Sequence, residues 1–378
     1  MCLLRNFKFW FLMGFLLDVK MCFGIYRDAR TVGRDGTLRY EPQKLTLEQM
    51  QTFAELSSIE DLKQTVQEIA IERVPGSPGH FYVREYISNR LSLLGWKVEF
   101  DIFTEKVPIL GSVTFHNIIA RHNPDAKRTL MLGCHYESKY FKEFNFKGAT
   151  DSAVSCALLL NMAKMLHNEI QRNEISLMFV FFDGEEAFHK WSKKDSLYGS
   201  RHLANVWEKQ GFLDHIDLFL LLDLIGAKDL SFNSNIPKTE NWFQRLVQLE
   251  DQMIQTGILK TNRSIFKFMT GSDVQDDHIP FTQRQVPVIH LIATDYPAFW
   301  HLPEDVELNV DYNTTEQVGQ VLKMFIMEYL LSAPRSKSPY VSLRSSGSDP
   351  LKIYISLLLA IFGLILVLLY RKSKMLRK

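Results

Sequence analysis

Phe179 to Trp191 read FVFFDGEEAFHKW: an apolar run stops at Asp183-Gly184, and two glutamates follow at once. Neighbouring side chains diverge at a strand-to-helix turn. One carboxylate can therefore bind a metal while the next faces a substrate and moves protons. Glu186 is expected in the first role and Glu185 in the second. Similar groups end or flank other apolar runs: His135 and Glu137 in GCHYES, Asp151 in GATDSA, Asp223 in LLDLIGA, Asp276, Asp277 and His278 in QDDHIPF, and His301 in FWHLPED. Carboxylates crowded at one sheet edge repel one another unless a cation joins them. A catalytic zinc takes His nitrogen and carboxylate oxygen through three protein ligands and keeps one position open. Asp151, Glu186 and His301 make that set. Each residue also has a plainer reading. Paired glutamates in a first helical turn complement the helix dipole. Asp151 is a competent N-cap, and residues 276–278 read equally as a solvated charge run. Asp223 is harder to set aside, because a carboxylate among leucines is costly without a partner.

Such residues need strand ends to bring them together. Four runs, TLMLGCHY, ISLMFVFF, LFLLLDLIGA and VPVIHLIA, are too uniformly apolar for half-exposed strands. They suit the centre of a mostly parallel sheet covered on both faces. Helical spacing lies between them, over Ser152–Asn168, Ser200–Gln210 and Thr239–Gly257. Ahead of them, Thr46–Ile71 has helical spacing. RVPGSPGH is a turn cluster, FYVREYISNRLSLLGW an amphipathic helix ended by Gly95, and KVEFDIFTEKV an alternating strand. The fold class expected is α/β, a three-layer sandwich with a twisted central sheet between helices. In such sheets ligands bind outside the carboxyl ends of the strands.

Both ends of the 378-residue chain point to a membrane. Residues 1–24 carry basic residues and then a short apolar core, the pattern of a leader. Residues 25–45 are polar and irregular, and 46–331 hold the catalytic domain. Residues 332–352 form a Ser/Pro-rich stalk. Residues 353–370 are uncharged and about long enough to span a bilayer, and 371–378 are a tail with five basic residues. The positive-inside rule puts that tail in the cytoplasm and the body on the lumenal or outer face. Asn262 and Asn313 open glycosylation sequons that agree with a lumenal body. Of the four cysteines, Cys134 and Cys156 can pair in an oxidising lumen or remain buried thiols. Lys and Arg total 44 against 43 Asp and Glu, and no basic stripe appears, so nucleic acid is not an expected partner.

The ordered set RVPGSPG, CHYESKYF, GATDSAVSCALLL, FFDGEEAF, DSLYGSRHLA, LLDLIGA, QDDHIPF, VPVIHLI and FWH resembles the animal-type glutaminyl-peptide cyclotransferases, over about Leu47 to Leu331. That resemblance implies the fold of zinc aminopeptidases and conversion of an N-terminal glutamine to pyroglutamate with release of ammonia. It implies one zinc ion on Asp151, Glu186 and His301, Glu185 as acid/base, and Asp223 and Asp276 in an acidic group beside it. Trp191, Gln275, Tyr296 and Trp300 would line the pocket, and Cys134–Cys156 would be a disulfide. Peptides and proteins with N-terminal glutamine would be the partners, and the Golgi membrane the location, with the plasma membrane as the alternative. Three departures stand out: Glu137 replaces a usual Asp, Tyr296 replaces a usual Phe, and the anchor lies at the opposite end from the family's membrane forms. Two rivals share the fold. In a two-zinc aminopeptidase His135 and Asp223 would hold a second metal with Asp151 bridging. In a non-catalytic membrane receptor the ligands would have no such duty.

Overall fold

The computed structural model describes residues 43–170, 175–271 and 274–331. The elements run α1 (Leu47–Glu55), α2 (Ile59–Ile69), α3 (Pro78–Leu93), β1 (Lys97–Val107), β2 (Gly111–Arg121), β3 (Arg128–His135), α4 (Val154–Met165), β4 (Ile175–Phe182), α5 (Tyr198–Gln210) and β5 (Ile216–Asp223). They continue with β6 (Phe232–Ser234), α6 (Glu240–Gln255), β7 (Phe266–Thr270), α7 (Ile279–Thr282), β8 (Val288–Ile292) and α8 (Tyr312–Leu331). Six strands form the main sheet in the order β1-β2-β4-β3-β5-β8, and β6 pairs with β7 in a small second sheet. The four apolar runs are the parallel strands: β3 pairs with β4 and β5, and β5 with β8, which lies at the sheet's edge and not at its centre. The β1–β2 hairpin joins antiparallel through β2 and β4, which makes the sheet mixed.

Alternation along each central strand builds two cores. Leu130, Leu132, Leu177, Phe179, Phe181, Leu218, Leu220 and Leu291 face the larger one, with α1–α4, α6 and α8. Met131, Met178, Val180, Phe182, Phe219, Leu221 and Val288 face the other, with Leu203, Ala204 and Trp207 of α5. Period-two geometry thus sends each strand's side chains into both layers. Full burial of such a side chain contributes about 1.5–3 kcal/mol. The expected three layers are present.

Two local expectations change. The helical stretch from Thr46 breaks into α1 and α2 because Ser58 leaves the helix and accepts from Asp61 N at 3.2 Å. A serine hydroxyl that caps one helix competes with continuing the previous one. Strand β2 is absent from the sequence reading. Its first half is a hairpin arm and its second half is buried on both faces against β4, so no single period runs through it. The leader, stalk, expected membrane helix and basic tail lie outside the described residues. Among the described residues, no helix is long and apolar enough to cross a membrane.

Helix α8 carries a buried cation. Lys323 donates to the Leu56 carbonyl at the C-terminus of α1, and burial lowers its pKa from 10.5 to about 8, partly opposed by Glu316. The unfolded chain holds this proton more tightly than the folded one. Between pH 8 and 10.5 the unfolded state therefore binds more protons, and stability rises with pH across that window. Below pH 8 the full penalty applies, roughly 3 kcal/mol for a shift of this size. Lys323→Met should flatten the rise in unfolding free energy between pH 7 and 10.5 by that amount, read from urea midpoints. Parallel curves for the two proteins would contradict it.

Candidate active site

The carboxyl ends of β3, β4 and β5 deliver His135, the Asp183–Glu186 turn and Asp223 to one edge. Gly184 makes the turn possible. Its φ is +73°, and a Cβ there would meet the Phe115 ring at 2.4 Å. Asp183 fixes the turn from behind. One oxygen meets His80 Nε2 at 3.0 Å, and the other accepts from His116 N at 2.7 Å and Tyr136 Oη at 3.3 Å. Leu197 N and Tyr198 N, at the start of α5, donate to the carbonyls of Glu185 and Gly184 at 2.8 and 2.7 Å. The two glutamates are therefore held by the strand behind and the helix ahead.

Asp151 follows Gly148 in a kinked turn that leads into α4, and its peptide bond to Ser152 is cis. It is not an N-cap. Two groups hold its loop. Arg73 is fully buried, and its guanidinium donates to the carbonyls of Tyr136 (2.6 Å), Ile71 (3.1 Å), Lys147, Gly148 (2.9 Å) and Asp151 (3.4 Å). Asp305 accepts from Thr150 N at 2.8 Å and Thr150 Oγ1 at 3.0 Å, while its own carbonyl accepts from Ala149 N at 3.2 Å. Asp305 lies four residues after His301, so it ties the two loops together. His301 has φ +58°, a left-handed conformation that is uncommon outside glycine. Its ring stacks on Trp300 at 3.9 Å and meets Phe141 and Phe146 edge-on at 5.8 and 5.9 Å.

These loops converge. His301 Nε2 lies 2.9 Å from Glu186 Oε1 and 3.1 Å from Asp151 Oδ2, and one donor atom from each of the three residues falls within 4.8 Å of the others. Glu186 Oε2 accepts from Lys139 Nζ at 2.7 Å, and Glu186 N donates to Glu137 Oε1 at 3.2 Å. Among the described residues, buried Asp151 Oδ2 has no hydrogen-bond partner beyond its ion-pair contact with His301. Burial opposes charge on His301, but Asp151 and Glu186 outweigh it and raise the pKa to about 9. One nitrogen, two carboxylate oxygens and an orphaned buried lone pair fit zinc.

The remaining acids surround that cluster. Glu185 lies beside it, and its donor atom groups with those of His135 and Glu137 within 4.8 Å. Its carboxyl makes no hydrogen bond with any described residue. Burial, then Glu186 and Asp276, pushes its pKa well above the ordinary value. His135 Nε2 lies 3.0 Å from Asp151 and 3.4 Å from Asp223. Burial raises Asp223 to about 8, aided by Asp276 and Asp151 and opposed by His135. Asp276 binds His290 Nε2 at 2.7 Å, so residues 276–278 are a buried network and not a solvated run. Burial and His290 act oppositely on Asp276, and the histidine prevails to keep its pKa low.

Trp191, Tyr296 and Trp300 are 36%, 38% and 38% exposed, which makes them a rim and not core. Tyr296 meets Trp300 edge-on at 4.9 Å, and Trp191 Nε1 donates to Gln275 Oε1 at 3.2 Å. Cys134 and Cys156 do not form the expected disulfide. They are buried free thiols 3.0 Å apart, against about 2.05 Å for a bond. Cys156 Sγ instead donates to the His135 carbonyl at 3.2 Å. Asn262 and Asn313 are both exposed. The sequence reading gave no role to Arg73, His80, Lys139, Asp183, His290 or Asp305. Asp183 and Asp305 had a signal, each being an acid within four residues of a candidate ligand, Glu186 or His301.

A parallel-centred sheet with an Asp–Glu–His cluster at its carboxyl edge is the metallopeptidase class of α/β domain, and the Peptidase family M28 model matches residues 117–326. Glutaminyl-peptide cyclotransferase of Drosophila melanogaster is 42% identical over 315 residues, covering 79% of this chain and 89% of the relative. The Bos taurus protein of the same name is 41% identical over 318 residues, covering 77% and 88%. The crystal structure of Macrostomum lignano glutaminyl cyclase superposes with a TM-score of 0.75 at 36% identity, covering 81% of this chain and 98% of that one. The chain belongs to the glutaminyl-peptide cyclotransferase family, within the M28 peptidase fold.

Removing the Arg73 guanidinium strands several buried carbonyls, each costing about 1–3 kcal/mol when unsatisfied. Arg73→Met should lower unfolding free energy by at least about 3 kcal/mol, and Arg73→Lys should recover only part, since an ammonium lacks the planar fork. Urea titrations measure both. A loss below about 1 kcal/mol for Met would show that the cation does not hold the loop.

Proposed function

We propose that this protein converts N-terminal glutamine residues of peptides and proteins to pyroglutamate, releasing ammonia. The observation that carries the reading is the meeting of Asp151, Glu186 and His301 beside an uncommitted Glu185, in a chain 42% identical to a relative of that name. Asp151, Glu186 and His301 would hold one zinc ion, which when bound supplies Lewis-acid polarisation of the side-chain amide carbonyl. Every further task falls to the chain's own groups. The α-amine and the amide belong to the same residue, so little orientational entropy is lost on closing the ring. A bond forms between the α-nitrogen and the side-chain carbonyl carbon, and the carbon–NH2 bond breaks. Glu185 takes a proton from the attacking amine and returns one to the leaving nitrogen. No water is consumed. Asp223 and Asp276 frame Glu185, and Trp191, Gln275, Tyr296 and Trp300 hold the small side chain at the rim.

A second reading has one observation in its favour. His135, Asp151 and Asp223 also place donor atoms within 4.8 Å of one another, and they share Asp151 with the first set. Two metals there would suit an aminopeptidase. Metal content per chain and the product separate the readings: ammonia and a blocked terminus belong to the cyclase, a free amino acid to the peptidase. For location, the leader, stalk and residues 353–370 support a single-pass protein of secretory-pathway membranes, the Golgi foremost, with its catalytic domain lumenal. Protease protection of the domain in sealed vesicles tests that placement; digestion without detergent would overturn it.

Glu185→Gln should retain the metal and lower turnover of a Gln-initiated peptide by about 100- to 10,000-fold. Activity near the parent's would remove Glu185 from the proton path. His301→Ala should lose bound zinc by elemental analysis while its circular dichroism stays that of the parent. Unchanged zinc content would strike His301 from the ligand set.

A further inference from the structure

A cleft of about 510 Å³ opens between the tip of the β1–β2 hairpin and the loop that follows the Glu185-Glu186 turn. Lys106 and Pro108 form the hairpin side; His189, Lys190, Trp191 and Lys194 form the other. Its walls are strongly basic. Lys106, Lys190 and Lys194 are exposed, and none has a carboxylate partner among the described residues. Asp195, the one acid on the wall, makes no ion pair with them among the described residues. It is buried, and its oxygens accept from the backbone N–H groups of Phe188, His189 and Lys190 and from Tyr198 Oη, all at 2.9 Å. Asp195 therefore sets the loop's shape and leaves the ammonium groups free. A loop fixed in this way presents its charges without first being ordered, which lowers the cost of binding.

Trp191 belongs to both the cleft and the active-site rim, because its indole nitrogen bonds Gln275, the neighbour of Asp276. A peptide whose first residue is held at the rim has one wall of this cleft directly beside it. We propose that the cleft receives the residues that follow the N-terminal glutamine and selects acidic side chains at the second to fourth positions. An extended chain advances about 3.3–3.6 Å per residue, so alternate side chains present carboxylates to the hairpin and to the loop. The substrate class is peptides that begin with glutamine and continue with Asp or Glu. The inference rests on the cyclotransferase reading and adds to it a selectivity made by Lys106, Lys190 and Lys194.

The test compares kcat/KM of the purified full-length protein on three peptides of equal length: Gln followed by Glu-Asp-Glu, by Gln-Asn-Gln and by Lys-Lys-Lys. At low ionic strength the acidic peptide should exceed the neutral one by about fivefold, through KM, with the basic peptide slowest, as expected for several exposed charge pairs acting together. In 1 M salt, where the Debye length falls to about 3 Å, the preference should vanish. Replacing Lys106, Lys190 and Lys194 together by Ser should bring the acidic-to-neutral ratio near one, and replacing them by Arg should preserve it. Equal kcat/KM for the three peptides in the parent, or a ratio retained by the Ser variant, would overturn the inference while leaving the cyclase reading intact. Failure to cyclise even the neutral peptide would remove the cyclase reading and this inference together.

Discussion

Five carboxylates, Glu137, Asp151, Glu185, Glu186 and Asp223, are gathered at one edge of the sheet, all nearly sealed from water. Like charges so placed cannot all ionise unaided, since a buried charge demands a partner. Histidines and protons both answer that demand. His135 and His301 are held above the ordinary imidazole range, because the acids facing them outweigh burial, and Asp223 rises to about 8. Asp151, Glu186 and His301 would hold a dication, whose charge would relieve the same repulsion. The crowding is the constraint that the rest of the architecture enforces.

Enforcement comes from backbone clamps more than from the ligands. Arg73 spends its whole guanidinium on carbonyls, most of them around the Asp151 loop, and Asp305 grips that loop from the His301 side. Asp183 anchors the start of the Gly184–Glu186 turn through His80, His116 and Tyr136. Arg73 and Asp183 are buried polar groups with their hydrogen bonds made, which is when such groups rigidify a structure; Asp305 holds Thr150 through one oxygen, while the other has no hydrogen-bond partner among the described residues. Precision in the first layer of a site requires this kind of support. The left-handed His301 fits the pattern, a locally unfavoured conformation held at the centre of the site by the stacked Trp300 and two facing carboxylates.

Much of this was legible in the sequence for one reason: buried parallel strands advertise themselves as unbroken apolar runs, and a polar residue at the end of such a run is conspicuous. Glu185, Glu186 and Asp223 stand out in this way, whereas Asp151, before a helix, and His301, in the segment after the fourth run, lie in loops beyond the strand ends. What stayed hidden has physical causes. Strand β2 changes environment halfway along and shows no period. Arg73 sits in a turn cluster that looks solvent-facing, and nothing local says that carbonyls of three segments, at Ile71, Tyr136 and Lys147 to Asp151, will close over it. His290 lies inside an apolar strand, where a histidine reads as core until Asp276 arrives from the preceding loop. The cysteine pair shows the opposite error. Proximity was anticipated correctly, yet the structure has two thiols in contact, one of them donating to the His135 carbonyl.

Two identical residues, adjacent in sequence, are driven apart by what surrounds them. Glu186 has both oxygens engaged, one by the Lys139 ammonium and one by the His301 imidazole, and its own N–H is bound by Glu137. Cationic partners hold its pKa down against burial. Glu185 has no donor on its carboxyl and faces Glu186 and Asp276 instead. The first is fixed and anionic, which suits a ligand; the second is free to gain and lose a proton. Environments that separate paired titratable groups are how one scaffold assigns a charge-bearing and a proton-moving role. Here the separation needs no difference in the side chains themselves. It follows from the turn after β4, which opens a loop running to α5 at Tyr198 and not a helix and which aims consecutive residues at different partners, and from Gly184, which lets that turn pass under the Phe115 ring.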